Sequence, residues 1–550
     1  MAARPDTILA DAISDLKGGR FGEAERGFKT LLRRQPRNVA ALNLLGILCT
    51  QQRRFAEAAG YMKKSIDAGS TSDATFYNYG IVLKALNRPA EAIEQFDRSL
   101  SINPAIAETW NNRGTAFNDV LRFEDALASF DRAIALKPGY ADALSNKGNS
   151  LTALRRFDEA KDCFDRALAI NPHSAEAWTG RGNLLLDLHD YGGAGSAFDR
   201  ALAINPKLAL AWLGRGHLLS SHNRRDEALQ CFGIAEETEP DLAEAHFAEA
   251  CCRLLFGDTR QGWEKYEWRW KTRAVRPHNR SFQKPLWLGE RAIANKTILL
   301  HAEQGFGDTI QFCRFVKNVA DLGAHVVLEV QEPLKSLLAP LEGVARIIGR
   351  GEPVPAYDFH CPLGSLPLAL QISVEQLRPE AYLSVPSDSA APWHERLQTT
   401  RAPRIGLAWA GNPKFRGDHN RSIGLERLLP IVKEIDAQFV SLQKELGPGE
   451  EAVLSEREIM NCGPSLDSFR DTAALMTCLD LIISSDTSIV HLAGALGRKV
   501  WILLQHAADW RWLTDRSDSP WYASAKLFRQ PSPGDWNSVV AHVIGELQSS

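Results

Sequence analysis

A period of 34 residues runs through the first half of the 550-residue chain and restricts its fold before any single residue is considered. Proline recurs at Pro36, Pro104, Pro138, Pro172, Pro206 and Pro240, each 34 residues from the next or, across Ser70, twice that. Glycine keeps the same step at Gly46, Gly80, Gly114, Gly148, Gly182 and Gly216. Alanine does so at Ala24, Ala58, Ala92, Ala126, Ala160, Ala194 and Ala228, and a large apolar residue at Phe28, Met62, Phe96, Phe130, Phe164, Phe198 and Phe232. Registers that agree in this way predict helical hairpins. Small residues lie where the two helices of a unit meet closely, and the aromatic fills the gap beside them. Proline ends the second helix because it cannot continue the hydrogen-bond ladder. One hairpin cannot bury its apolar face alone, so the units are expected to stack into an α-solenoid, a superhelix with a concave inner surface.

The pattern resembles the tetratricopeptide (TPR) repeat over residues 3–240, with Trp110, Trp178 and Trp212 at the tryptophan position. Arg113, Arg181 and Arg215 stand where that family usually has leucine. Residues 241–271 read as an eighth, degenerate unit ending in Trp263, Tyr266, Trp268 and Trp270. That aromatic run either caps the solenoid against the next domain or cages a ligand, and the need to seal an end unit favours the cap. Asn78, Asn112 and Asn146 share one register, two residues before the repeat glycine, which faces the groove in repeats of this type. Asparagine offers donor and acceptor together, so such a ladder can hold an extended peptide backbone whatever its sequence. A similar ladder lines the repeats of the O-GlcNAc transferases. Here the next two units have Gly180 and Gly214, and a polar groove position without a dedicated ligand is an equal reading.

Composition limits the partners. Lys and Arg total 64 against 67 Asp and Glu, a net charge of -3, which gives no electrostatic case for nucleic acid or a membrane surface as main partner. No stretch approaches the roughly 18 apolar residues of a spanning helix, and Met1 to Ala12 has no apolar core of a signal peptide. The nine cysteines are scattered without a C-x-x-C pair. A reducing, cytoplasmic location with no disulfide frame, no zinc site and no bound cofactor is therefore expected.

After Lys271 the register stops. Residues 272–296 are basic and irregular, with Pro277 and Pro285, and read as a linker or docking segment. From Lys296 onward, short apolar runs alternate with helical stretches: TILLH (297–301), VVLEV (326–330), RIGLAWA (404–410), QFVSL (438–442), LDLIIS (479–484) and KVWILL (499–504). Unalternated runs of this length suit parallel strands covered on both faces. They fall into two Rossmann-like blocks, 297–385 and 403–550, separated by a Pro/Ser/Asp/Ala-rich stretch. With the superhelix at 1–271 and the linker at 272–296, the expected fold class is an α-solenoid followed by two α/β lobes.

Three loops between strand and helix could carry chemistry. His301-Ala-Glu-Gln-Gly-Phe-Gly307-Asp308-Thr309 brings a glycine-rich turn and an aspartate to a helix start, where simple capping is the plainer reading. Asn412-Pro-Lys414-Phe-Arg416-Gly-Asp418-His419-Asn420-Arg421 places three cations within eight residues, a plausible diphosphate clamp or a solvated charged loop. Ser485-Asp486-Thr487-Ser488-Ile-Val-His491 offers hydroxyls and free N–H groups at a helix start, which favour phosphate. A lone histidine such as His491 is more often structural than catalytic.

The second block is similar to the sugar-nucleotide lobe of the ADP-heptose:lipopolysaccharide heptosyltransferases (glycosyltransferase family 9, with the two-lobed GT-B fold). Their signature, Asp-Ser/Thr-Gly-x-x-His before an alanine-rich helix, is matched by Asp486, Thr487, His491 and Ala493, with Ser488 in place of glycine. Their catalytic Gly-Asp pair is matched by Gly307-Asp308. Gln443-Lys444 is similar to a Gln and Lys near the nucleotide in the O-GlcNAc transferases, which also join TPR superhelices to a GT-B region. The whole layout, including GWEKYEWRW (262–270), resembles bacterial TPR proteins with a heptosyltransferase-like C-terminal half. The resemblance implies an inverting glycosyltransferase with a nucleoside-diphosphate-sugar donor and a protein or peptide acceptor recruited by the repeats. Asp308 would deprotonate the acceptor, while Lys414, Arg416, Arg421 and Thr487-Ser488 would neutralise the diphosphate. The chain has no Asp-x-Asp triplet, so cations of the protein would replace a metal. A non-catalytic TPR scaffold that kept only the fold, and an enzyme of lipopolysaccharide using its repeats for assembly, are the other readings.

Overall fold

The computed structural model describes residues 4–275, 280–397, 403–412 and 417–549. It divides into two compact units, with the boundary between Gly214 and Arg215 inside the helix Ala209–Ser221.

The first unit is a run of helix pairs: Pro5–Lys17 with Phe21–Arg34, Val39–Gln51 with Phe55–Asp67, Asp73–Ala85 with Pro89–Ile102, Ala107–Asp119 with Phe123–Leu136, Ala141–Ala153 with Phe157–Ile170, and Ala175–Asp187 with Tyr191–Ile204. The register residues form its core. Ala92, Phe96, Ala126, Phe130, Ala160, Phe164, Ala194 and Phe198 are all inaccessible to solvent. A Cβ on Gly114 would come within 2.6 Å of Phe130 Cε1, and one on Gly46 within 2.8 Å of Met62 Cγ. The absent side chain is the space that the unit's own large residue occupies.

Three further ladders keep the 34-residue step or a multiple of it. Each turn within a hairpin holds one residue at positive φ: Gly19 (73°), Arg53 (59°), Asn87 (60°), Leu121 (61°), Arg155 (62°) and His189 (61°). The arginines at the leucine position, and Lys147 in the same register, reach the preceding unit. Arg113 Nε donates to Asp97 Oδ1 at 2.6 Å, Lys147 Nζ to Asp131 Oδ1 at 2.7 Å, and Arg181 Nη1 stands 3.2 Å from Asp165 Oδ1. Trp110, Trp178 and Trp212 each donate from Nε1 to a proline carbonyl six residues back, at 2.9, 3.0 and 2.9 Å.

The second unit continues with the helices Arg225–Thr238, Ala243–Leu255 and Thr259–Tyr266 and a 3-10 turn, Glu267–Lys271. Its aromatic run is consumed in packing. Trp263 and Tyr266 are buried edge-on against Trp510 at 5.2 and 6.0 Å, and Trp268 stacks on His246 at 3.7 Å. Arg269 is wholly buried, and its charge is matched. Nε donates to Glu303 Oε1 at 3.0 Å, Nη1 to Glu267 Oε1 at 2.5 Å, and Nη2 to Ser365 Oγ at 2.7 Å.

Two parallel sheets follow. The first holds β1 (Thr297–His301), β2 (His325–Val330), β3 (Val344–Gly349) and β4 (Phe359–Pro362), in the order β3-β2-β1-β4. The second holds β5 (Arg404–Ala408), β6 (Gln438–Ser441), β7 (Met460–Asn461), β8 (Leu481–Ser485), β9 (Val500–Leu504) and β10 (Ala525–Arg529), in the order β10-β9-β8-β5-β6-β7. Five of the six apolar runs contain a strand buried along nearly its whole length, β1, β5, β6, β8 and β9, and the sixth contains β2, exposed only at its first residue. The strands without such a run are the short β4 and β7, the edge strand β3, whose Ala345 and Arg346 are exposed, and the edge strand β10. No helix among the described residues is long and apolar enough to cross a membrane, and the nine cysteines are free thiols.

Candidate functional site

Topology selects the loops that matter. In each sheet the strand order reverses beside a single strand, β1 in the first and β5 in the second, and ligands of open α/β sheets bind at the carboxyl ends of strands at such a point. The Gly307-Asp308 loop follows β1, the Asn412–Arg421 loop follows β5, and the Asp486–His491 loop follows β8, which pairs with β5.

The first and third of these loops meet. Asp308 lies in the opening turn of the helix Phe306–Phe312, and Gly307 beside it packs on the helix Ser488–Ala495. A Cβ at position 307 would fall 2.8 Å from His491 Cδ2 and 3.6 Å from Ser488 Cα. Both oxygens of Asp308 are engaged. Oδ2 accepts the Gly305 N–H at 2.9 Å, the capping bond expected of an aspartate here, and Oδ1 accepts from Arg511 Nη2. Arg511 is itself fixed by Asp509 Oδ1 at 2.7 Å and Gln311 Oε1 at 2.6 Å, and it lies 4.2 Å from the Trp510 ring centre. Burial pushes the Asp308 carboxyl up, Arg511 opposes the shift, and Asp509 adds to it.

Behind this pair, Trp512 Nε1 donates to Asp486 Oδ2 at 2.8 Å. Burial and the charge of Asp509 raise the Asp486 carboxyl to about 6, against the pull of Trp512, Arg421 and Arg511. Thr487 spends its hydroxyl as the helix cap, accepting the Ile489 N–H at 3.3 Å. Ser488 opens the helix. His491 is buried, its Nδ1 lies 2.9 Å from the Tyr522 hydroxyl, and its ring stacks on Trp512 at 5.6 Å. Burial first, then the cations Arg511, Arg314 and Arg421, hold this ring neutral, well below the usual imidazole range. The plainer reading of His491 as a structural residue matches this environment.

The remaining positions divide. Lys414 and Arg416 lie outside the described residues. Asn412 is exposed beside them. Arg421 Nε donates to Asp418 Oδ1 at 3.0 Å, and Asp418 Oδ2 takes the Ser422 hydroxyl at 2.8 Å, so a buried carboxylate organises the turn that carries the cation. Gln443 is bound to the chain itself. Its Oε1 accepts the N–H groups of Trp409 and Ala410 at 3.3 and 3.2 Å, and its Nε2 donates to Ala410 O at 3.1 Å. Lys444 Nζ donates to Leu466 O. Sequence reasoning passed over Asp509, Arg511 and Trp512, although they follow β9 as one more loop beyond a strand, with an ionic pair and two tryptophans as the signal.

In the first unit, Asn78, Asn112 and Asn146 are half-buried. Asn112 Nδ2 donates to Tyr77 Oη at 3.0 Å and Asn146 Nδ2 to Asn111 Oδ1 at 3.0 Å, linking each helix to its neighbour. The ladder stops for a steric reason. A Cβ at Gly180 would meet Phe164 at 2.5 Å and Asn149 Oδ1 at 2.7 Å, and one at Gly214 would meet Phe198 at 2.4 Å and Asn183 Oδ1 at 3.1 Å.

Residues 9–73, 77–141 and 145–209 each match the tetratricopeptide repeat. The chain is 27% identical over 340 residues to Protein FlbA of Caulobacter vibrioides, a match covering 56% of this chain and 55% of that protein, so it spans about half the length of this relative. Among solved structures, a tetratricopeptide repeat protein from Parabacteroides merdae is 17% identical over 44% of this chain and 97% of its own, with a TM-score of 0.41. A thermophilic TPR protein of Thermus thermophilus is 23% identical over 33% of this chain and all of its own (100%), with a TM-score of 0.32. The N-terminal part of the chain thus carries tetratricopeptide repeats, followed by a region of parallel sheets.

Proposed function

We propose that the protein is a glycosyltransferase of GT-B type in which TPR repeats recruit a protein or peptide acceptor. The reading rests on one observation: the Gly307-Asp308 turn after β1 packs directly on the helix Ser488–Ala495 after β8, at the reversal points of two parallel sheets. Asp308 is the base that takes the acceptor proton, and Arg511 favours its ionised form against the effect of burial and holds it aligned until the acceptor arrives. The donor diphosphate is received by Arg421, the start of the helix Ser488–Ala495 and the cations of the loop after β5, without a metal. The FlbA relationship leaves the reaction open.

A scaffold without turnover is the second reading, favoured by Gln443, whose amide makes three bonds to the backbone at Trp409 and Ala410. Purified protein should be incubated with UDP-, GDP- and ADP-sugars, and donor breakdown and transfer to captured polypeptides measured. Turnover by the wild type that is lost in Asp308→Asn, with nucleotide binding kept, supports the enzyme. Absence of turnover and of nucleotide binding in both proteins leaves the scaffold.

A further inference from the structure

The eighth repeat carries more polar chemistry than the sealing of a solenoid end requires. Apolar bulk closes an end unit, whereas a buried hydroxyl or guanidinium must be given a partner. Tyr266 is 2% exposed and Arg269 wholly inaccessible, and both reach one loop of the α/β region. Gln304 Nε2 donates to the Tyr266 hydroxyl at 3.2 Å, and Arg269 Nε donates to Glu303 Oε1 at 3.0 Å. Glu303 and Gln304 are consecutive, and they lead into Gly305, the residue whose N–H Asp308 accepts. The eighth repeat belongs to the compact unit that contains the site, which begins at Arg215.

Tyr266 also has a neighbour beside the arginine that pairs with Asp308. Its ring stands edge-on to Trp510 at 6.0 Å, and the Trp510 ring centre lies 4.2 Å from the guanidinium carbon of Arg511. Trp510 further stacks at 6.5 Å on Phe312, the last residue of the helix whose first turn holds Asp308. On the loop side, Gln331 Nε2 donates to Gln304 O at 2.8 Å, and Gln331 Oε1 takes the hydroxyl of Thr309 at 2.9 Å. Gln304 is thus tied by its side chain to the repeat and, through one glutamine, to the residue after Asp308. The phenol of Tyr266 spans the Asp308–Arg511 pair, its apolar ring on the tryptophan beside the arginine and its hydroxyl on the loop of the carboxylate.

We propose that Tyr266 is a positioning residue for Asp308: its ring rests on the tryptophan beside Arg511 while its hydroxyl holds the loop before Gly305, so the last repeat sets how the carboxylate meets the guanidinium. Loss of the hydroxyl releases the Gln304 side chain and leaves the loop to its bonds at Glu303 and Gln331. Asp308 Oδ2 then holds the Gly305 N–H less of the time. The eighth repeat is in this way a wall of the site as well as the end of the solenoid. A role in the reaction rests on the proposed reading of Asp308 as base, whereas the coupling of Tyr266 to Asp308 does not.

The test uses the full chain, deuterated and labelled with 15N at its 40 glycines, the Gly305 amide being assigned by its loss in Gly305→Ala. An N–H bonded to a carboxylate resonates downfield, and Asp308→Ala gives the position of the released amide. Tyr266→Phe keeps the ring against Trp510 and removes only the hydroxyl. It should move the Gly305 proton toward its position in Asp308→Ala, while Gly406 in β5 and Gly216 stay in place. Added to Asp308→Ala, it should move Gly305 no further. An unmoved Gly305 proton in Tyr266→Phe overturns the proposal, as does a comparable shift at Gly406 or an undiminished shift in the Asp308→Ala background. Where a donor is turned over, Tyr266→Phe should lower kcat about two- to tenfold, the worth of one net hydrogen bond, at unchanged donor KM. An unchanged kcat overturns the role in the reaction. Absence of turnover in the wild type tells against the transferase reading alone, and the Gly305 resonance still decides the positioning.

Discussion

Gly307 lies so close to His491 that a methyl group in its place would stand 2.8 Å from the imidazole Cδ2. The ring cannot retreat, because it is stacked on Trp512 and bonded to Tyr522, and both are buried. Gly307→Ala is therefore expected to destabilise the second unit by about 1–3 kcal/mol, the usual range for overpacking. Calorimetry or urea unfolding checks it. Gly305→Ala is the control, since a Cβ there meets nothing nearer than Asp308 Oδ2 at 3.3 Å.

The arginines at the leucine position bind neighbouring repeats together. Arg113 is 22% exposed and Asp97 50%, so solvent screens the pair and its coupling should be small, about 0.5 kcal/mol. A double-mutant cycle of Arg113→Leu and Asp97→Asn measures it. Arg113→Ala should cost more than the cycle's coupling term, because the guanidinium also lies 4.7 Å from the Phe117 ring centre. Raising salt to 1 M should remove the coupling and leave the ring contact.

Leu121 occupies the turn residue at φ 61°, where a side chain without a local hydrogen bond is strained. Asparagine fills the same position at Asn87 and tolerates this conformation. Leu121 is 40% exposed, so little burial is lost on replacement. Leu121→Asn should raise stability by about 0.5 kcal/mol, and Leu121→Gly by less, because glycine frees the unfolded chain. Thermal unfolding of the isogenic proteins ranks the three.

The repeat was readable because its spacing repeats the same contact many times: glycine against its own unit's large residue, then proline after the second helix. The positive-φ ladder was hidden, since Arg, Asn, Leu and His fill it without a shared side chain. Strands buried on both faces left apolar runs, whereas the edge strand β3 carries exposed Ala345 and Arg346 and left none. At the candidate site, Gly307, Asp308 and His491 were found from local motifs, but the partner of Asp308 is Arg511, which lies 203 residues along the chain. Gln443 shows the opposite case. Resemblance to the Gln and Lys of the O-GlcNAc transferases suggested a nucleotide, whereas in the structure its amide bonds the backbone at Trp409 and Ala410.

The Asp486 carboxyl, raised from 3.8 to about 6, gives a signed pH dependence. A group held above its unfolded value contributes stability that is full below that value and is lost as pH rises through the folded one. Wild type should therefore lose stability relative to Asp486→Asn between pH 4 and about 6, by roughly 1–3 kcal/mol at about 1.4 kcal/mol per unit. The amide oxygen of asparagine can still accept the Trp512 N–H, so the variant keeps that bond. If a nucleoside diphosphate binds here, the same titration should weaken it as pH rises, because ionised Asp486 repels the phosphates. Calorimetric titration with ADP, GDP and UDP at pH 5 and pH 7.5 checks this. In Asp486→Asn the affinities at the two pH values should converge.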